Sequence, residues 1–289
     1  MKIAAVVILY HPNKSVPDNI KTYYDYVEKI FVFDNSEEKS LIKVDLLKLP
    51  KVEFYQDFEN EGISKRLNEG SNLAIQEHFD WILTMDQDSN FCAETIKYYF
   101  NCFTQFKEKE NVAMFGTNRT RKKTLQTNCN CTPSKWEDLI TSGSLLNLEA
   151  FNKVGDFDES LFIDLVDNEY CARSKMNGYS IIRFSNIYLL HELGKQVYRS
   201  SIKTFFLFKK KKEIHSPLRC YYMYRNMLYL ENKYKESNKN FTKKLKKDVM
   251  SRIKICILYG RNTREILKYI KAAKEDFKNN KMGKIEQEQ

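Results

Sequence analysis

No apolar run in the chain reaches the roughly 18 residues that a spanning helix needs. The first ten residues, Met1 to Tyr10, are apolar but short, and no small-residue cleavage site follows His11-Pro12. They read as a buried first strand rather than a leader. The cysteines at 92, 102, 129, 131, 171, 220 and 256 are odd in number and scattered, so they do not read as a disulfide framework. Cys129-Asn130-Cys131 is too tight for a usual zinc knuckle and has no second pair. The expectation is a reducing cytoplasm and no structural zinc. Repeats and long low-complexity linkers are missing as well. Glycine is missing beside the first strand, which ends in Tyr10-His11-Pro12. A glycine-rich phosphate loop is therefore excluded there, which argues against a metal-dependent nucleotidyltransferase.

What is present fits a globular protein. The 289 residues are 42% hydrophobic and 30% charged, enough for one large domain or a domain with an appendage. The net charge of +10 is divided unevenly. From Lys195 onward there are 26 Lys/Arg against 9 Asp/Glu, a net +17, while the first 194 residues carry −7. That asymmetry predicts an acidic catalytic part, residues 1–200, and a basic helical region, residues 201–289, facing something anionic.

The first half alternates. Ile3–Tyr10 reads as a strand covered on both faces, residues 16–28 as a weak helix and 29–33 as a second strand. A short strand at 52–55, a helix at 63–78 and a strand at 81–85 follow. Such alternation predicts an α/β fold with a doubly wound, largely parallel sheet. Ligands bind such sheets beyond the carboxyl ends of the strands. Three strand ends carry polar clusters: Tyr10-His11, Asp34-Asn35-Ser36 and Asp86-Gln87-Asp88.

The last cluster closes the run Trp81-Ile82-Leu83-Thr84-Met85. In an extended segment residues i and i+2 share a face, so Asp86 and Asp88 can present oxygens to one hard cation. A cation held by few protein carboxylates completes its shell with water and phosphate. The stretch therefore suggests a divalent ion that clamps a nucleotide diphosphate, set against the plainer reading of two solvated aspartates.

Further on, a helix is expected over 93–108 and a strand at 112–116, with residues 117–138 a hairpin or loop. Thr141–Leu148 reads as a strand in which Gly143 lets a ligand or backbone approach closely, or serves as an ordinary turn glycine. Asp164, Asp167 and Glu169 lie close together among large apolar side chains at the start of a helix. Desolvation and mutual repulsion would make one of them a general base; an acidic first turn serving the helix dipole is the alternative. Residues 180–184 and 187–191 read as two strands, the second ending in His191, which could complete a metal's coordination or touch the diphosphate. Phe205-Phe206-Leu207-Phe208 beside Lys209 to Lys212 suggests an anchor for anionic lipid, or a packed aromatic segment with a solvated charge run. Residues 241–278 read as basic helices with Ile253, Ile257, Ile266, Leu267 and Ile270 in the core.

Taken together and in order, Val6–Tyr10, Phe33–Ser36, Asn60-Glu61-Gly62, Asn68-Glu69-Gly70, Trp81–Ser89, Thr141–Ser144, Gly155–Glu159, Phe162–Cys171, His191–Gly194 and Arg219–Asn226 resemble a family 2 glycosyltransferase of the GT-A fold, closest to its bacterial rhamnosyltransferase branch. The resemblance implies a mixed Rossmann-like sheet flanked by helices, with a C-terminal basic helical extension. It implies a nucleotide-sugar donor held by Tyr10, Asp34, Asn35, Lys65, Arg66, Asp86, Gln87, Gly143 and Arg225. Asp86, Asp88 and His191 would hold Mn2+ or Mg2+, Asp88 the more direct ligand, and Asp167 would be the catalytic base. The family's acidic residue before that base is Val166 here, so a paired carboxylate falls to Asp164 or Glu169, which would orient the acceptor, or is missing. The expected reaction is inverting transfer of a sugar, L-rhamnose from dTDP-L-rhamnose or else a UDP-linked hexose. The acceptor would be a glycan or lipid-linked oligosaccharide of capsule, O-antigen or cell wall. A nucleotide-sugar-binding or membrane scaffold protein is the non-catalytic rival. The expected location is cytoplasmic, peripheral on the inner face of the membrane, with no nucleic-acid partner.

Overall fold

The computed structural model describes residues 1–120, 131–191, 196–200 and 207–285. The chain divides into two units: Met1–Glu159 with Val166–Glu192, and Ser160–Leu165 with Leu193–Gln289. The six residues just before Val166 thus belong with the C-terminal part.

The first unit runs β1 (Ile3–Leu9), α1 (Val16–Lys21), β2 (Lys29–Asp34), α2 (Lys43–Leu46), β3 (Val52–Gln56), α3 (Gly62–Gln76) and β4 (Trp81–Asp86). It continues through β5 (Ser89–Asn90), α4 (Ala93–Gln105), β6 (Val112–Thr120), β7 (Pro133–Lys135), β8 (Ser144–Asn147), α5 (Leu148–Val154), α6 (Val166–Met176) and β9 (Ser180–His191). Among the described residues these strands form one nine-stranded sheet in the order β3-β2-β1-β4-β8-β6-β9-β5, with β7 also on β9. Strands β3, β2, β1 and β4 are parallel, β8 runs antiparallel to β4, and β6 pairs β9 in parallel. The mixed sheet matches the architecture that the resemblance implies.

Every residue of β1 is buried, as a central parallel strand covered on both faces requires. Helix α3 lies close on it. A Cβ at Gly70 would sit 2.5 Å from Val6 Cγ2, so glycine is what permits that approach. The inward face of α3 is partly polar, and those groups are satisfied: Asn68 Nδ2 donates to Phe157 O at 2.9 Å and Asn68 Oδ1 accepts from Phe157 N at 2.8 Å.

Several elements differ from expectation. The helix at 16–28 stops at Lys21 and ends in a short 3-10 turn at Tyr24–Tyr26. The two strands at 180–191 are one, because the polar Ser185-Asn186 break is absorbed as a register shift opposite Thr117 and Asn118. Residues 121–130, the middle of the expected hairpin or loop and the stretch that contains Cys129, lie outside the described residues. The expectation of unpaired cysteines is corrected: Cys102 and Cys131 form a disulfide, their Cα atoms 5.4 Å apart. Sequence spacing could not show it, because the fold brings Cys131 to the end of α4 across 29 residues. The bridge also removes the ground for inferring a reducing compartment.

The second unit contains the hairpin β10 (Gln196–Arg199) and β11 (Lys210–Glu213), then α7 (Pro217–Tyr234), α8 (Lys239–Tyr259) and α9 (Thr263–Lys278). Ser216 caps α7, accepting from Arg219 N at 3.2 Å, with Pro217 in the first turn. Asn238 caps α8 through Phe241 N at 3.1 Å. Ile253 and Ile266 are buried as expected, while Leu267 is exposed. Among the described residues no helix is long and apolar enough to cross a membrane.

Candidate active site

Strand register assembles the site. In the parallel ladder Leu9 lies opposite Asp34 and Ile8 opposite Asp86, so Tyr10, Asn35 and Gln87 leave the same edge side by side. The Gln87 side chain ties this edge together. Its Oε1 accepts from Tyr10 N at 2.9 Å and its Nε2 donates to Tyr10 O at 3.0 Å. Asn19, which the sequence reading did not single out, donates to Gln87 O at 2.8 Å.

Asp34 is 0% exposed. Its Oδ1 accepts from Ser36 N at 2.9 Å, but Oδ2 is buried with no partner. A buried polar atom without a partner is costly. Beside it Tyr10 is exposed and its ring stands 4.2 Å from that of His11.

Asn35 and Arg66 form the framework of this corner. Asn35 Nδ2 donates to Gly62 O at 3.1 Å, and Asn35 Oδ1 accepts from Arg66 Nε at 2.8 Å. The Arg66 guanidinium also reaches Glu69 at 2.8 Å, Asp57 at 2.5 Å and the Glu59 carbonyl at 3.1 Å. Burial alone would lower the Arg66 pKa, yet Asp57 and Glu69 outweigh it and hold it above its ordinary value. A guanidinium so engaged fixes the loop. Lys65 is more accessible and pairs with Glu61 at 3.0 Å, which raises the lysine and lowers the carboxyl. A cavity of about 480 Å3 opens against α3, lined by Phe33, Tyr55, Asp57 and Arg66 among others, and it does not include the aspartates of β4.

Those aspartates meet a histidine. The two-residue strand β5 pairs antiparallel with β9 and sets Ser89 opposite His191. His191 Nδ1 consequently lies 3.4 Å from Asp88 Oδ1 and 4.0 Å from Asp86 Oδ2. One ligand atom from each of Asp86, Asp88 and His191 falls within 4.8 Å of the others, a spacing that suits one cation. Both carboxylates are about one-third exposed, which leaves room for ligands from solution.

Two serines that the sequence reading passed over support this cluster. Ser142 Oγ accepts from Asp86 N at 3.1 Å and donates to Ser89 Oγ at 2.8 Å, which lies 2.7 Å from His191 Nδ1. The signal for Ser142 was the small-residue turn Thr141–Ser144, and Ser89 directly follows the D-x-D. Gly143 in that turn has φ +76, and a Cβ there would meet Leu189 Cδ2 at 2.9 Å. The close approach is thus to the side chains of Leu189 and Thr117, and Gly143 N donates to Thr84 O at 2.8 Å.

Asp167 sits in the first turn of α6, half-buried, with Oδ1 accepting from Asn168 N at 2.9 Å. The expected crowd of carboxylates is resolved by guanidinium groups. Glu169 is 0% exposed, and both of its oxygens face Arg173, at 2.9 and 3.0 Å. Arg173 also donates to the carbonyls of Val154, the last residue of α5, and of Gly155 and Asp156 beyond it. Glu169 is therefore a buried brace between α6 and the turn that follows α5. Glu169→Ala is expected to lower the unfolding free energy by about 3–5 kcal/mol by removing the carboxylate that neutralises the Arg173 guanidinium, read as a shifted urea midpoint.

Asp164 and Arg225 belong to the second unit. Asp164 has φ 64 and is gripped by Arg219 at 3.0 Å, while Asn226 donates to the carbonyls of Ile163 and Asp164. Arg225 is 1% exposed and donates to Tyr221 OH and to the carbonyls of Lys281 and Gly283. These bonds give Arg225 a structural part within that unit.

A mixed sheet with its polar edge at the ends of β1, β2 and β4, carrying a D-x-D and a histidine, defines a GT-A-type glycosyltransferase. No family model matches the chain. It is 30% identical over 247 residues to the "dTDP-rhamnosyl transferase RfbF" of Shigella flexneri, covering 80% of each. The chain belongs to this rhamnosyltransferase-like branch of family 2 and is an enzyme of the glycosyltransferase class. Solved structures share the fold. The S. aureus TarS fragment 1–349 superposes with a TM-score of 0.51 at 12% identity, over 97% of this chain and 92% of that one. GalNAc-T7, solved with UDP, GalNAc and Mn2+, gives 0.54 at 11% identity. There the match covers 66% of this chain but 44% of the other, under half its length.

Proposed function

We propose that the enzyme transfers L-rhamnose from dTDP-L-rhamnose, with inversion, to a hydroxyl of a growing capsule, O-antigen or cell-wall glycan. The donor is suggested by the 30%-identical dTDP-rhamnosyl transferase. The transfer chemistry is carried by one observation, the convergence of Asp86, Asp88 and His191 at the polar edge of the sheet.

Asp34 and Tyr10 supply the nucleoside site. The unpartnered Oδ2 of Asp34 accepts an N–H or O–H of the nucleoside, and the exposed Tyr10 ring offers a stacking face. Lys65, at the start of α3, adds a cation beside the phosphates. Asp86, Asp88 and His191 would hold a divalent cation, Mn2+ or Mg2+, and the imidazole ligand weighs towards Mn2+. When bound, the cation offsets the negative charge of the departing diphosphate.

Asp167 takes the proton of the acceptor hydroxyl as that oxygen bonds to the anomeric carbon and the bond from that carbon to the diphosphate breaks. The products are the glycoside, the nucleoside diphosphate and protonated Asp167. The carboxylate is held ready by the Asn168 N–H.

The exposed Leu207 and Phe208, next to the lysine run, support docking on the inner face of the cell membrane, where a lipid-linked acceptor resides. A thermal-shift panel tests the donor. A ligand that binds the native state stabilises it by about 2.7 kcal/mol at a hundredfold excess over Kd. dTDP-L-rhamnose with Mn2+ is expected to raise Tm more than UDP-glucose or UDP-galactose with Mn2+. A larger rise with a UDP-hexose would reassign the donor.

A further inference from the structure

The second unit holds a basic groove lined by none of the residues assigned to the transfer site. It is a cavity of about 320 Å3 lined by Lys210, Lys212, Ser251, Lys254, Ile255, Leu258 and Tyr259. Its walls follow from two periodicities. Lys210 and Lys212 are two apart in β11 and share a face. Ser251, Lys254, Ile255, Leu258 and Tyr259 recur at three- and four-residue steps along one face of α8.

Charge is concentrated there without neutralisation. Arg199 lies directly opposite Lys210 in the β10–β11 ladder, and its guanidinium donates to Tyr259 O at 3.3 Å. Like charges opposed across a ladder are destabilising. Elsewhere in the unit lysines find acids: Lys246 meets Glu231 at 2.8 Å, Lys239 meets Glu236 at 3.6 Å and Lys271 meets Glu275 at 3.9 Å. Among the described residues Lys210, Lys212 and Lys254 have no carboxylate partner. Just ahead of β11, Leu207 and Phe208 are 76% and 69% exposed.

We infer that this groove binds the phosphate of an anionic lipid headgroup, with Lys210, Lys212 and Lys254 as its ligands and Arg199 at its rim. Leu207 and Phe208 enter the adjoining apolar layer. A soluble phosphate would satisfy the lysines but would leave both apolar side chains in water, so the lipid is the source assigned. The inference rests on the membrane docking proposed above and locates it.

The full-length protein is sedimented with phosphatidylglycerol-containing vesicles and with pure phosphatidylcholine vesicles at low salt. Binding to the anionic vesicles alone is expected, weakening as salt is added. The variant K210A/K212A/K254A is expected to bind on the order of a hundredfold more weakly. K268A/K271A/K274A removes the same charge from α9 of the same unit and should keep most of the affinity. Thermal melts of both variants check that they fold. Equal losses in the two variants, or none in the first, would overturn the groove while leaving membrane docking intact. No binding of the unaltered protein to anionic vesicles would overturn both, and stabilisation by inorganic phosphate without vesicle binding would overturn the lipid assignment.

Discussion

Asp167→Asn is expected to abolish transfer while the protein still binds its donor. Asparagine keeps the size of the side chain and an oxygen for the Asn168 N–H, so the first turn of α6 should be undisturbed. What disappears is the capacity to take a proton. General-base removal typically costs about 100- to 10,000-fold in rate, so turnover of dTDP-L-rhamnose and acceptor should fall by that factor. The thermal shift produced by the donor should stay at the unaltered value. Transfer by the asparagine variant at the normal rate would show that another group accepts the proton.

The second large effect concerns the cation. Asp88→Ala should weaken Mn2+ binding by more than about a hundredfold, since even the outer partners of metal ligands are worth about 10- to 100-fold. Loss of Mn2+ binding can be read directly by electron paramagnetic resonance of the free ion, without any turnover. Asp86→Ala should weaken it less, because Asp88 is the carboxylate nearer His191, at 3.4 against 4.0 Å. Unchanged affinity in both variants would mean that the cluster does not hold the ion.

The sequence showed much of this plan, for identifiable reasons. Continuous apolar runs such as Ile3–Leu9 can be little other than covered strands, and polar residues at their ends fall on one edge because the strands are parallel. The D-x-D was legible as a motif at a strand end, but β4 stops at Asp86 and Asp88 lies in the turn before β5, so strand alternation is not what brings the two carboxylates together. What escaped is of a different kind. Strand β5 is two residues long and has no periodicity to detect. The pairing of Ser89 with His191 is a contact over 102 positions that local pattern cannot encode. The assignment of Glu169 to Arg173 was in principle visible, since they stand four apart on one helix. Its full burial was not, because that depends on α5 and on the carbonyls beyond it. The lysine run at 209–212 read as a charge block, and only its pairing with Gln196–Arg199 shows which lysines share a face. The Cys102–Cys131 bridge escaped because covalent partnership depends on three-dimensional proximity.

The shortness of β5 has a consequence for how the enzyme would fail. The histidine reaches the two aspartates through a ladder of Ser89–His191 and Asn90–Leu190, near the lower limit of what counts as a sheet. Contacts of that size open at far less expense than a whole domain. A preparation could therefore melt as sharply as any other and still contain molecules that no longer recognise the ion. Inactivation on mild warming or in dilute urea should run ahead of the spectroscopic transition, and added Mn2+ should draw the two together.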